Sequence, residues 1–268
     1  MSADGASSSS GAARPLLSTR GLVKRFGAVV AAEGVNIDVP AGQRLSVIGS
    51  NGAGKTTFVN MVTGYLRPDE GAIELDGHDI TRLGHRRIAG LGLSRSFQIP
   101  QLCLELTLRQ NLLVAVAAAQ GRPSLWRPFD SAASQARADQ LMQRFGLEAD
   151  AERPVHELAG GVRKLADIAM ALARRPRLLL LDEPTSGVSA DEKFPAMERV
   201  MDALKGEAAT VVFIEHDMDI VSRFSERVIA FYSGRVIADG APADVLGQAD
   251  VRRHVTGELH AAHTIRSP

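Results

Sequence analysis

The run Gly49-Ser50-Asn51-Gly52-Ala53-Gly54-Lys55-Thr56 follows the pattern G-x-x-x-x-G-K-[ST]. Glycines at this spacing let backbone N–H groups curve around anionic oxygens, and a helix beginning at Lys55 would add its positive N-terminal end. Lys55 would reach the β- and γ-phosphates of a nucleotide, and the Thr56 hydroxyl would ligate Mg²⁺, with Thr57 beside it in the same first turn. A second pattern, Leu178-Leu179-Leu180-Leu181-Asp182-Glu183, is an apolar run that ends in adjacent carboxylates. Asp182 would hold Mg²⁺ through water, and Glu183 would polarise the water that attacks the γ-phosphate. Either pattern alone has a plainer explanation, a glycine turn before a helix or a solvated Asp-Glu turn. Together they specify phosphoryl chemistry.

These groups need elements to carry them. Arg44 to Ile48 is a strand that ends in the glycine-rich turn, and Lys55 to Thr63 continues as a helix. Leu178 to Leu181 and Thr210 to Ile214 are continuously hydrophobic, as strands buried on both faces of a parallel sheet are. The three runs are expected to form the core. Leu16 to Gly21, Val35 to Val39 and Ala72 to Leu75 read as short strands broken by Gly, Pro and Asp, pairing antiparallel around one end of a sheet. Residues 101–175 carry no strand signal but show helical spacing through Ala132 to Phe145 and Gly161 to Arg174, which predicts a helical subdomain inserted in the α/β core. Val228 to Phe231 and Val236 to Ala238 flank Tyr232-Ser233-Gly234-Arg235, a hairpin. The division expected is a disordered Ser, Ala and Gly tail over 1–14, one domain over 15–248 and an extension over 249–268.

Composition narrows the function. The chain has 268 residues, with 31 Lys plus Arg against 31 Asp plus Glu, so no global positive field exists to hold a nucleic-acid backbone. The single cysteine, Cys103, excludes an internal disulfide framework and suits a reducing compartment. The longest apolar stretch, Leu112 to Ala119, falls well short of the roughly 20 residues of a membrane-spanning helix. No secretory signal is legible at Met1 to Ser10, and a cytoplasmic location is expected.

With these motifs in this order, the stretch from Leu16 to Val245 resembles the ATP-binding subunits of ABC transporters. The resemblance implies an α/β P-loop ATPase with a mixed sheet core, an antiparallel β subdomain and an inserted α-helical subdomain. It implies ATP and Mg²⁺ as cofactors, with Lys55, Glu183 and His216 as the catalytic set. Within Arg95-Ser96-Phe97-Gln98 the family glutamine, which senses Mg²⁺ and the γ-phosphate, corresponds to Gln98. Ile214-Glu215-His216-Asp217 places His216 at the γ-phosphate, and Lys24-Arg25-Phe26-Gly27 places Phe26 on the adenine.

One element departs from the family. The signature that completes the partner subunit's ATP site usually reads Leu-Ser-Gly-Gly-Gln, whereas this chain has Leu158-Ala159-Gly160-Gly161-Val162. Ala159, Gly160 and Gly161 would still meet the partner-bound ATP through backbone donors, but the hydroxyl and the amide are missing. Ser189, where aspartate is common, is a second departure, in the loop that follows Glu183. Because the family dimerises head to tail, an intact phosphate loop beside an altered signature implies a heterodimer with a second ATPase chain. The Arg95 and His216 motifs and the segment Gly234 to Val245 further resemble the ATPases of branched-chain amino-acid importers, a group that also moves urea, short-chain amides and aromatic carboxylates.

The partners so implied are two transmembrane permease subunits, docked on residues 102–158, whose apolar patches, Leu112 to Val116 and Trp126 among them, read for the most part as ordinary helical core, with an external solute-binding protein acting indirectly. The chain would sit peripherally on the cytoplasmic face of the inner membrane. Other readings of the same head motifs are an ATPase working on nucleic acid or the ribosome, an ATP-binding subunit without turnover, and the ATPase of a lipopolysaccharide-type exporter. The first commonly carries a coiled-coil insertion, tandem domains or a basic surface, none of which is legible here.

Overall fold

The computed structural model describes residues 14–120, 131–207 and 209–256. Among these residues ten strands form two sheets. The first is antiparallel, in the order β2 (Val29–Val39), β1 (Leu17–Phe26), β4 (Glu70–Leu75), β5 (His78–Asp79). The second runs β10 (Arg235–Gly240), β9 (Arg227–Tyr232), β3 (Arg44–Gly49), β8 (Thr210–Ile214), β7 (Leu178–Asp182), β6 (Leu93–Ser96). All its pairs are parallel except β9 with β10, which is the expected hairpin.

Two sequence expectations are corrected here. The antiparallel strands form the expected subdomain as a sheet of their own, but β1 and β2 run well past the residues that first suggested them. The reason lies at Gly21: its φ of 58° accommodates a shift in register between Thr19 and Leu22, so a glycine that reads as a strand break is a bulge inside a longer strand. The parallel core is also wider than three runs, since β6 and β9 join it.

The sheet faces separate two cores. On β7, Leu178 and Leu180 pack with Phe58 and Val59 of helix α1 (Lys55–Val62). Leu179 and Leu181 face the other way, towards α3 (Leu108–Ala119), α4 (Ala132–Phe145) and α5 (Gly160–Leu172), and towards α6 (Ala190–Leu204). This helical subdomain is where the spacing put it, and α4 has the predicted limits. Ser131 caps α4 and a Thr107–Gln110 capping box starts α3. The remaining helices are α2 (His85–Gly90), α7 (Met218–Phe224), α8 (Pro242–Gly247) and α9 (Ala249–Val251), with a π-helical turn over Arg252–Thr256. Of the expected tail only Arg14 is described, its guanidinium donating to Glu74, and Trp126 lies outside the described residues.

Candidate nucleotide site

The phosphate loop spans the gap between β3 and α1, and its geometry follows from where its glycines must go. Gly54 has a φ of 106°, and a Cβ there would stand 2.4 Å from the Ala31 carbonyl oxygen, so no other residue fits without moving β2. It is also the N-cap of α1, supplies no capping side chain, and no acidic residue follows in the first turn. The positive end of this helix is therefore left for an external anion. Lys55 is buried, and its Nζ donates to the Gly49 and Ser50 carbonyls at 2.6 and 3.0 Å. Burial pulls its pKa down, opposed by the nearby Glu183 and Asp182.

A cleft of about 330 Å³ opens over this loop. Asn51, Gly52, Ala53, Gly54, Lys55, Thr56 and Thr57 form its floor, while Gln98, Asp182, Glu183 and His216 close the far side and Phe26 stands at the rim. Gly49 and Ser50 lie beneath as the carbonyl partners of Lys55 rather than on the wall. Every residue expected in this chain's own nucleotide site is thus collected at one edge of the parallel sheet, beyond the strand C-termini.

The acidic side of the cleft is held by a connected set of hydrogen bonds. Glu183 follows β7 with a φ of 49°, a left-handed turn rare for a glutamate, which lifts its carboxylate off the strand axis. Gln98 Nε2 donates to Glu183 Oε2 at 2.9 Å, and His216 Nε2 donates to Oε1 at 2.8 Å. Glu215, itself buried, accepts from the Thr185 N–H and hydroxyl and from the His216 N–H, which anchors the loop carrying His216 to the loop carrying Glu183.

Sequence reading gave Arg95 no role, yet it lies at the heart of the edge. Its side chain and that of Asp182 are each 8% exposed and meet at 2.6 Å, while another nitrogen donates to Asn60 on α1. The guanidinium also stacks over Phe97. The only signal for it was its position beside Gln98, inside a strand too polar to announce itself.

The donors fit a hard divalent cation. Thr56 offers a hydroxyl and Asp182 a carboxylate of which Arg95 takes only Oδ2, oxygen donors of the kind Mg²⁺ accepts together with phosphate oxygens and waters. Among the described residues no cluster of three or more His, Cys, Asp or Glu could bind a metal unaided. Bound there, the cation would neutralise charge developing on the phosphates.

The signature residues lie elsewhere in the chain's surface. Ala159 is the N-cap of α5, with Gly160 and Gly161 in its first turn, and no side chain caps the helix. Gly160 and Gly161 pack closely against Gly187 and Val188 of the loop after Glu183. Phe26 is 51% exposed at the end of β1, with the Lys24 ammonium 5.7 Å from the centre of its ring. Base stacking on such a ring contributes about 1–3 kcal/mol, so Phe26→Ala should weaken binding of a fluorescent ATP analogue roughly 5- to 150-fold while leaving tripolyphosphate affinity unchanged.

A phosphate loop between a strand and a helix, with an acidic pair ending another parallel strand of the same sheet, one strand removed, defines a P-loop nucleoside triphosphatase. The sequence profile described as ABC transporter matches residues 32–186. The chain belongs to the ABC transporter family, as an ATP-binding and ATP-hydrolysing protein. It is 36% identical over 253 residues to the high-affinity branched-chain amino acid transport ATP-binding protein BraF of Pseudomonas aeruginosa, covering 91% of this chain and 99% of that one. LivG of Escherichia coli, of the same description, is 35% identical with the same coverage. Among solved structures, the ADP conformation of MJ1267, an ATP-binding cassette of an ABC transporter, superposes with a TM-score of 0.80 at 31% identity, covering 92% of this chain and 99% of that one.

Proposed function

We propose that this chain is the ATPase of an importer for branched-chain or chemically related amino acids, working on the cytoplasmic face of the inner membrane. The observation that carries the reading is extent: the similarity to BraF and LivG runs along 99% of those proteins rather than through the nucleotide motifs alone. Lys55, the loop amides, Thr56 and Thr57 hold the phosphates of ATP, and Phe26 stacks on adenine. Thr56, Asp182 and Gln98 serve Mg²⁺, Glu183 activates water, and His216 binds the γ-phosphate.

Permease subunits dock in the groove of about 270 Å³ between the helical subdomain and the sheet, lined by Tyr65, His85, Phe97 and Met170. Tyr65 is 52% exposed, and Ile99, between two lining residues, is 75% exposed, an apolar surface that suits a short helix of a membrane subunit. Among the described residues no helix is long and apolar enough to cross a membrane. Purification of the tagged chain from its native membrane should recover two permease subunits and a second ATPase. A lone homodimer, or ribosomes or DNA, would overturn the importer reading.

Ala159 and Val162 support a second ATPase as the partner. A serine hydroxyl or glutamine amide bonded to a charged phosphate contributes about 1.5–3 kcal/mol, one to two decades in rate if the bond forms in the transition state. With Ala159→Ser and Val162→Gln together, turnover by the isolated chain at self-associating concentrations should rise about 10- to 100-fold. No rise would show that the missing groups do not limit it.

A further inference from the structure

Two charged side chains buried on α5 have no part in the chemistry above. Lys164 is 1% exposed and Asp167 5% exposed, and at three residues apart they share one face of the helix. Lys164 Nζ donates to the Phe97 carbonyl at 2.6 Å and to the Asp182 carbonyl at 2.6 Å, with the Gln98 carbonyl at 3.5 Å. Asp167 Oδ2 accepts from the Ser96 hydroxyl at 2.6 Å and the Phe97 N–H at 3.0 Å, and Oδ1 accepts from the Gln101 N–H at 3.1 Å.

The targets of these bonds share one property. All are on the segment that brackets Gln98, or on Asp182 at the strand end beside Glu183. Burial works against both charges, lowering the Lys164 pKa and raising that of Asp167. Buried ions are a costly way to stabilise a fold that apolar contacts could stabilise as well, so their use here points to placement. The helix that carries them starts at Gly160, in the signature, four residues before Lys164. At the other end of the chain of contacts, Gln98 donates to Glu183.

We propose that Lys164 and Asp167 are positioning residues that fasten the Gln98 segment to the signature helix, so that movement of α5 against the partner's nucleotide is delivered to the Gln98–Glu183 contact in this chain's own site. This rests on the dimeric ATPase reading above. A two-ended tether has the required form: one element, α5, is biased by the partner's ligand at its N-terminus and by this chain's site through its buried face.

The test is a double-mutant cycle in the assembled transporter, reading ATP affinity with a fluorescent analogue alongside kcat and KM. Lys164→Met and Gln98→Ala are each expected to leave nucleotide affinity within about twofold and to lower kcat at least tenfold. The double variant should be no slower than the slower single one, and Lys164→Arg should restore at least half of kcat. Multiplying losses in the double variant, or an unchanged kcat in Lys164→Met, would overturn the proposal. Should Lys164→Met fail to fold, Asp167→Asn takes its place in the same cycle with the same expected pattern. Absence of ATP binding and turnover in the unmodified assembly would instead defeat the ATPase reading itself, a result the cycle cannot mimic.

Discussion

Glu183→Gln is expected to reduce ATP turnover by about two to four decades while nucleotide binding survives, the range typical for loss of a positioned general base. The replacement keeps the size of the side chain and the oxygen that accepts from His216, so the loop should hold its shape. It loses the negative charge, and the oxygen that faces the Gln98 amide becomes a nitrogen, which sets donor against donor. The variant should accumulate with ATP bound and as a closed dimer, read by size-exclusion chromatography and by the nucleotide recovered from the peak. Turnover near that of the unmodified chain would show that another group activates the water.

The second large effect concerns stability. Arg95→Met should destabilise the chain by about 3–5 kcal/mol, because it leaves the Asp182 carboxylate buried without its counterion. A midpoint shift in urea denaturation measures it. Removing both charges should recover most of the loss, so Arg95→Met with Asp182→Asn is expected to unfold later than Arg95→Met alone. If the double variant were the less stable, the pair would be contributing net attraction beyond mutual neutralisation. The Asn60 contact makes Arg95 a bridge from β6 to α1 as well, and part of the cost in both variants comes from that lost bond.

How legible this was from sequence depends on how far each residue must look for its partner. The phosphate loop and α1 are local, and Gly54 and Lys55 could be placed from eight residues of pattern. The limits of α4 were equally local, since Ser131 and Gly146 mark its ends. The strand β6 was missed because Leu93-Ser94-Arg95-Ser96 is short and carries one apolar residue followed by three polar ones, and its arginine points to a carboxylate 87 residues away. Lys164 and Asp167 were hidden in the same way. They stand beside Leu165 and Ile168 in a helix whose charges would ordinarily face water, and nothing near them in sequence announces Phe97 or Gln101. Gly21 misled for a different reason, because a bulge and a strand end share the same residue preference.

The four leucines of β7 divide between two cores, and this has an effect on errors of assembly. Most strands are protected against slipping by one residue because the slip would bring polar groups inside. Here Leu178 to Leu181 would present leucine to both cores in either frame, so the interior offers little resistance to misalignment. Alignment must instead be enforced by the polar contacts at the C-terminal end: Lys164 on the Asp182 carbonyl, Arg95 on its carboxylate, and the Glu183 N–H on the Ile214 carbonyl at 3.0 Å. The residues that make the site are therefore also its proofreaders, because a slipped molecule would part the buried Asp182 carboxylate from Arg95 and lose stability together with activity.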